Sequence, residues 1–191
     1  MSWTRPTIAN ICILAAFLLL PVQLWAADND KTPKIKAAYI HQFSHFVSWS
    51  DNGDASKTPD ALLTICVMGH DRVGEYLERL AGHSHGSYSI GVEHLASPSA
   101  AHHCEILYIA SRSLAAVDEI IQGMSRFPVL TVSDIPGFVD RGGMIGFVLK
   151  EDRVRLEINL FAAQRARLRI SAKLIEVSLR VIQVHANGGG E

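Results

Sequence analysis

The sequence lacks the features that would direct a protein to nucleic acid, to nucleotides or to hydrolysis. It is nearly neutral, with 18 lysines and arginines against 19 aspartates and glutamates, so no global field recruits nucleic acid. It has neither a phosphate-loop lysine nor a three-glycine dinucleotide pattern, and residues 69–74 predict an ordinary strand-to-helix turn, with nucleotide binding as the alternative. It has no G-x-S-x-G elbow, and Ser133-Asp134 is more typical of a turn cap before Pro136 than of a catalytic pair.

The sequence also lacks an apolar run long enough to span a membrane, which takes roughly 20 residues. Arg5, the uncharged run over residues 11–20, Pro21 and a small residue at Ala26 predict a signal peptide over residues 1–26, with a retained anchor as the alternative. Residues 27–191 contain no internal repeat and no low-complexity linker. They are therefore predicted to form a single exported domain.

Cysteine is scarce, and one of the three cysteines, Cys12, lies inside the predicted signal peptide. Cys66 and Cys104 remain in the exported chain. Two thiols in an oxidising compartment can pair as a disulfide, and two buried free cysteines are the alternative.

Apolar runs alternate with helical patterns along most of the chain. Thr32-Pro33 predicts the start of a helix with an aromatic face, which carries Ile35, Tyr39, Phe43, Phe46 and Trp49. Strands are predicted over residues 62–68, 88–93, 106–110 and 129–132, and helices after the caps Asp71 and Ser113. This order predicts an α/β fold, a three-layer αβα sandwich with a mostly parallel sheet.

The C-terminal part predicts a hairpin and a closing helix. Residues 144–149 and 153–159 form the two strands, and Lys150, Glu151 and Asp152 form a charged tip. Ser171 caps the closing helix, whose apolar stripe consists of Leu174, Ile175, Val177, Leu179, Val181 and Ile182.

Arginines at alternate positions indicate a binding surface near this hairpin. If residues 167–170 are extended, Arg165, Arg167 and Arg169 share one face beside the polar side of strand 153–159, with Glu157 as counter-ion. A solvated surface is the alternative, but arginine is enriched at the centres of interfaces. The predicted partner-binding residues are Glu157, Asn159, Arg165, Arg167, Leu168 and Ile170.

Histidines cluster in the middle of the chain and are weak candidates for metal ligands. His83, His85, His102 and His103 could supply imidazole nitrogens to zinc or copper, yet no carboxylate or thiolate stands at ligand spacing beside them. Solvated loop histidines are the preferred interpretation, and no metal or other cofactor is predicted.

Several segments in combination resemble the YfiR family. They are K-A-A-Y-I-x-Q-F-x-x-F-V-x-W over residues 36–49, I-C-V-x-G over 65–69, C-x-I-L-Y-I over 104–109, P-V-L-T-V-S-D over 128–134, P-G-F over 136–138, G-G-M-I-x-F over 142–147, R-V-R-L-E-I-N over 153–159 and A-A-x-R-A-x-L-x-I-S-x-K-L over 162–174. The resemblance covers nearly the whole exported chain.

The resemblance implies a periplasmic α/β protein without enzymatic activity. Such proteins restrain an inner-membrane diguanylate cyclase by binding its periplasmic sensor part, and an outer-membrane peptidoglycan-binding lipoprotein can sequester them. Envelope stress is thereby coupled to cyclic di-GMP and biofilm formation. The resemblance also implies a Cys66–Cys104 disulfide, whereas residues 138–155 lack the second cysteine pair of some members.

Three further expectations concern the partner, the oligomeric state and the function. The partner implied by the resemblance can be a sensor kinase instead of a cyclase, and a homodimer is an additional partner. The alternative function is a periplasmic small-solute or metal-binding protein that uses the histidine-rich loops or the aromatic helix face.

Overall fold

The computed structural model describes residues 31–49, 61–82, 84–85, 88–110 and 114–183. Apart from Lys31, all of these belong to the compact unit Thr32–Glu191, which is distinct from the unit Met1–Lys31. The predicted signal peptide lies outside the described residues. Within the described ranges, the structure contains no helix with the length and hydropathy needed to cross a membrane.

Helices and strands alternate through the first two thirds of this unit, as predicted. In chain order the elements are α1 (Lys31–Gln42), a 3₁₀ turn (Phe43–His45), β1 (Val47–Trp49), β2 (Ala61–Met68), α2 (Arg72–Glu78), β3 (Ser84–His85), β4 (Tyr88–Leu95), a 3₁₀ helix (Pro98–His103), β5 (Ile106–Ile109), α3 (Leu114–Met124), β6 (Leu130–Ser133), β7 (Ile145–Lys150), β8 (Arg153–Asn159), α4 (Leu160–Arg165), β9 (Leu168–Ile170), α5 (Ala172–Glu176) and β10 (Arg180–Ile182).

Eight of the described strands form one sheet in the order β10-β8-β7-β6-β5-β2-β4-β3. The central strands pair in parallel, which confirms the predicted mostly parallel sheet. β7 and β8 form the predicted antiparallel hairpin. Its tip residues Glu151 and Asp152 have φ of 52° and 56°, the left-handed conformation that a tight hairpin turn requires.

The sheet is buried on both faces, which accounts for the continuous apolar character of its central strands. Ile65 and Val67 face one apolar cluster, which is completed by residues of α1, α2, α4 and α5. Cys66 and Met68, the alternate residues of the same strand, face a second cluster with α3. This is the three-layer α/β arrangement that the sequence predicted.

The structure contains the disulfide between Cys66 and Cys104, with a Cα–Cα distance of 6.0 Å. Both cysteines are buried in the second cluster. Cys66 lies on β2, and Cys104 follows the 3₁₀ helix that precedes β5. The bond therefore fixes the 3₁₀ helix against the face of the sheet opposite α1.

The prediction that one helix carries the aromatic face through Trp49 is wrong. α1 begins at Lys31, before Thr32-Pro33, and ends at Gln42. Val47–Trp49 is a strand, and it pairs antiparallel with Leu168–Ile170. The β-branched and aromatic residues Val47 and Trp49 favour a strand once a partner is available, and that partner is distant in sequence.

The predicted long closing helix is also wrong. Ser171 caps a helix as expected, but this helix ends at Glu176. Residues 180–182 instead form β10, which adds to the free edge of β8 in parallel register. The apolar residues Val181 and Ile182 are compatible with a helix or with a strand. The edge of β8 offers backbone hydrogen bonds to a strand, and these favour the strand. The cap predicted at Ser113 lies outside the described residues.

The disulfide is predicted to supply a large share of the stability of this domain. It closes a loop with a sequence separation of 38, so replacing both cysteines with alanine should lower the free energy of unfolding by about 3–4 kcal/mol in the chain-entropy model. The measurement is urea denaturation followed by circular dichroism. Dithiothreitol should destabilise the wild-type protein by a similar amount and leave the double variant unaffected. Equal stability of the two proteins would contradict the prediction.

Candidate functional site

An open apolar groove separates α1 from the segment that follows β9. The groove has a volume of about 460 Å³. One wall comes from α1 and the turn after it, and the other wall comes from α5 and its C-terminal cap. The residues that line it are Ile35, Ala38, Tyr39, Gln42, Phe43, Phe46, Lys173, Leu174 and Val177.

Large apolar side chains at the rim of this groove remain in water. Ile35 is 44% exposed and Val177 is 63% exposed. Exposed apolar surface that is contiguous and concave marks binding sites more often than single exposed residues do. The groove is therefore the described surface best suited to receive an apolar partner.

The floor of the groove is rigid because it rests on the sheet. Phe43 is fully buried, and its ring lies 6.1 Å from the ring of Phe147 on β7, centroid to centroid. Tyr39 contacts both rings, at 6.5 Å from Phe43 and 6.2 Å from Phe147. Close-packed aromatic rings of this kind adopt few alternative arrangements, so the groove is already formed in the free protein.

The two walls are held together by β1 and β9. Val47 pairs with Ile170 in this two-stranded ribbon, and the amide of Ser171 donates to the carbonyl of Phe46 at 2.8 Å. The Ser171 hydroxyl then accepts from the amide of Leu174 and starts α5. The ribbon thus places α5 beside α1 even though more than a hundred residues separate them in sequence.

Two of the predicted partner-binding residues are buried and serve the fold. Asn159 caps α4, because its Oδ1 accepts from the amide of Ala162 at 2.9 Å while its Nδ2 donates to the carbonyl of Val139 at 2.9 Å. Leu168 is 1% exposed and belongs to the first apolar cluster. Neither side chain is available to a partner in this structure.

The predicted arginine face does not form. Arg165 is the last residue of α4, Arg167 has a φ of 60°, and only Arg169 lies in an extended strand. Ile170 is half-buried against β1. The alternation predicted from residues 165–169 fails because a helix end, a left-handed turn and a strand follow each other within five residues.

The counter-ion of Glu157 is Arg180 instead of the predicted arginines. Arg180 Nε and Nη2 donate to the two carboxylate oxygens of Glu157 at 3.0 and 2.9 Å. The same guanidinium makes two bonds to Asp140, at 2.7 and 2.8 Å. Hydrogen bonds from Arg180 lower the pKa of Asp140. Arg180 therefore ties β10 to β8 and to the loop that precedes β7.

The candidate metal ligands do not assemble into a site among the described residues. His83 lies outside them, and nothing is described of the His85 side chain. His102 and His103 are exposed, with His102 bonded to the Ser99 carbonyl and His103 to Glu93. His103 also lies near Cys66 and Cys104, but sulfurs joined in a disulfide are not thiolate ligands.

The carboxyl edge of the parallel strands, where ligands usually bind in open α/β sheets, is occupied by the protein's own polar groups. The Tyr108 hydroxyl donates to Asp71 Oδ2 at 2.6 Å, and Lys36 Nζ donates to Asp134 at 2.6 Å. Burial and the charges of Asp134 and Asp71 raise the pKa of Tyr108 far above its usual value, so this hydroxyl stays protonated and keeps donating.

Asp71 also settles the interpretation of residues 69–74. Its Oδ1 accepts from the amide of Gly74 at 2.8 Å, so a carboxylate already occupies the helix start where a phosphate would lie. A second anion at this position would be repelled. The segment is a capped strand-to-helix turn, as preferred from the sequence.

The sequence pattern predicts helices for most of the groove residues. It places Tyr39 and Phe43 on an aromatic face, and Leu174 and Val177 on the apolar stripe of the closing helix. Only the early end of α5 leaves Val177 in water. A period of three or four residues identifies an apolar face and does not tell what covers it.

Fold and groove together define an α/β protein with an open apolar groove on one face of its sheet. The sequence matches the YfiR/HmsC-like family over residues 33–178. The chain belongs to this family, which is a regulatory family. No curated protein sequence matches the chain.

Two solved structures share the fold at low sequence identity. A conserved domain protein from Vibrio cholerae O1 biovar eltor is similar over 79% of this chain, with a TM-score of 0.56 and 12% identity. An ABC domain in complex with L-Trp from Streptococcus pneumonia is similar over 78%, with a TM-score of 0.50 and 10% identity. The chain spans 60% of the length of each of these structures, and the likeness concerns the fold alone.

The Arg180 contacts predict a pH-dependent contribution to stability. Arg180→Gln should be less stable than wild type at pH 7. A carboxyl whose pKa is lowered by folding stabilises the protein above its unfolded pKa of about 4, and this contribution disappears as the pH falls through the lower folded value. The stability difference between the two proteins should therefore shrink in acid.

The measurement is urea denaturation of both proteins at pH 7 and at about pH 3, on either side of the ordinary carboxyl pKa. Arg153→Gln is the matched control, since Arg153 is an exposed arginine on the same strand as Glu157. If Arg180→Gln and Arg153→Gln were equally stable at pH 7, the proposed tie between β10 and the rest of the sheet would be absent.

Proposed function

We propose that this protein is a periplasmic regulator that binds the periplasmic sensor part of an inner-membrane diguanylate cyclase, or of a sensor kinase, and restrains its activity. Membership of the YfiR/HmsC-like family over residues 33–178 supports the general role. The observation that carries the proposal is the apolar groove between α1 and α5, which offers a partner a preformed cavity with a volume of about 460 Å³.

The chemistry of the groove favours an amphipathic segment as its occupant. Apolar side chains of the segment would cover Ile35 and Val177, and burying their exposed parts would contribute on the order of 1 kcal/mol each. Lys173 lies at the rim and is exposed, so an acidic residue of the segment would be its natural counter-ion. A helix laid into a groove uses this combination of apolar anchors and a polar rim.

Two features support a location outside the cytoplasm. Residues 1–26 have the composition of a signal peptide, and a buried disulfide persists in an oxidising compartment. In the periplasm the protein would lie between the cyclase and an outer-membrane peptidoglycan-binding lipoprotein. Competition between these two partners would couple the state of the envelope to cyclic di-GMP and biofilm formation.

The groove itself provides the test of this function. Deleting the gene in its native bacterium should raise cellular cyclic di-GMP, and the wild-type gene should restore the lower level. Val177→Asp should fail to restore it, because a carboxylate in the groove must lose its hydration when an apolar segment binds. Cyclic di-GMP is quantified by mass spectrometry of cell extracts.

Leu149→Asp provides the control, because Leu149 is 60% exposed, as Val177 is 63% exposed, but lies on the hairpin. This variant should restore the low level. Both variants should melt within a few degrees of wild type, since each replaced side chain is mostly in water. An unchanged cyclic di-GMP level in the deletion strain would argue against a cyclase partner, and restoration by Val177→Asp would remove the groove from the proposal.

A second candidate function is the binding of an apolar solute in the same groove. Its volume of about 460 Å³ falls in the range of small-molecule sites, and Tyr39 and Phe43 of the aromatic face line it, while Trp49 is buried on β1. A solute that raises the melting temperature in a concentration-dependent way in wild type, and not in Val177→Asp, would favour this function.

A further inference from the structure

A second cleft, of about 240 Å³, lies near the C-terminal end of α3, with α4 and the sheet as its other borders. We call it the arginine cleft. The side chains that matter for its chemistry are Thr131, Arg141, Met144, Phe161 and Arg165. It shares no lining residue with the apolar groove.

The charged side chains that line the arginine cleft are both arginines. Arg141 uses only Nη1 to bind Asp118, at 3.0 and 2.8 Å, which leaves its other guanidinium donors available. Arg165 lies 5.8 Å from the ring centroid of Phe161, and no carboxylate partner for it is found among the described residues. Asp118, which does not line the cleft, balances only one of the two guanidinium charges. The cleft is therefore positively charged.

The hydroxyl of Thr131 adds a hydrogen-bond donor to the cleft. Thr131 is 2% exposed, and its hydroxyl oxygen accepts from the amide of Met144 at 3.1 Å, so its proton is still available for donation. Asn159 also lines the cleft, but its Nδ2 and Oδ1 already bond to the backbone of Val139 and Ala162. The cleft therefore offers donors to the acceptor oxygens of an anion.

Apart from Gln122 and Ser125, the rest of the lining is apolar, and it determines which kind of anion fits. Ile121, Met124, Met144 and Phe161 supply hydrocarbon, sulfur and aromatic surface. A free inorganic anion would leave this surface in contact with water. A volume of 240 Å³ would hold on the order of eight waters at about 30 Å³ each, which is enough for one small ring with a carboxylate.

We propose that the arginine cleft binds a small organic monocarboxylate, with its carboxylate on Arg165 and Arg141 and its apolar body against Met144 and Phe161. The planar fork of a guanidinium pairs a carboxylate through two parallel bonds. The Arg165 guanidinium lies beside the ring of Phe161, a contact that favours this position of the cation. The proposal does not depend on the identity of the protein partner.

Benzoate is the probe, and benzamide is its uncharged control of nearly the same shape. The exported chain is titrated with each compound at low ionic strength and pH 7, and amide chemical shifts are followed by NMR. Benzoate should give saturable shifts in residues that line the cleft. Benzamide should bind at least about tenfold more weakly, because it loses the charge-assisted bonds to both arginines.

Variants locate the site and separate it from the groove. Arg165→Gln should weaken benzoate binding by about tenfold or more, and Arg165→Lys should give an intermediate loss because it keeps the charge without the fork. Arg153→Gln, which removes an exposed arginine outside the cleft, should bind as wild type. Val177→Asp should also bind benzoate normally, because Val177 lines the apolar groove and does not line the arginine cleft.

Several outcomes would overturn the proposal. Equal binding of benzoate and benzamide would remove the role of charge, and equal binding of inorganic phosphate and benzoate would remove the role of the apolar lining. Unchanged affinity in Arg165→Gln, or lost affinity in Val177→Asp, would place the ligand elsewhere. The absence of saturable shifts with millimolar benzoate would show that the cleft does not bind this class of ligand.

Discussion

The pairing of β1 with β9 is the contact on which the candidate site depends. Three residues at positions 47–49 meet three at 168–170, and the backbone bond from Ser171 to Phe46 continues the contact into α5. This short ribbon closes a loop of more than a hundred residues, and that costs conformational entropy. The burial of Val47, Trp49 and Leu168 in the first cluster offsets the cost. The ribbon is thus what positions α1 and α5 on either side of the groove.

The two faces of the sheet carry different tasks. The face with α3 contains the disulfide in an apolar cluster that stabilises the domain, and the C-terminal end of α3 borders the arginine cleft. The face with α1, α2, α4 and α5 has the larger cluster and is left open where α5 ends early. A regulatory protein needs both properties, because a partner binds most tightly to a surface that is already formed.

Much of the fold could be predicted from local patterns, and the failures share one cause. The central strands, the Asp71 cap, the hairpin and its tip follow from apolar runs and turn residues close together in sequence. Local spacing predicts helices at Trp49, Val181 and Ile182, but these residues lie in strands, because each of these strands forms only by pairing with a strand distant in sequence. The arginine face failed for a related reason, since Arg167 sits in a left-handed turn that no spacing rule reveals.

The sequence alone determined the α/β class and the parallel sheet buried on both faces, because periodicity and composition report burial directly. Its combined segments over residues 36–174 determined the resemblance to a regulatory family. Only the tertiary structure decided which apolar residues stay in water, which charges meet, and where a ligand or partner fits. Ile35 and Val177 come together with Lys173, and Arg141 with Arg165, through chain crossings that no local pattern encodes. Residues from different helices and strands together form a surface, whereas sequence spacing reports only which residues of one helix or strand share a face.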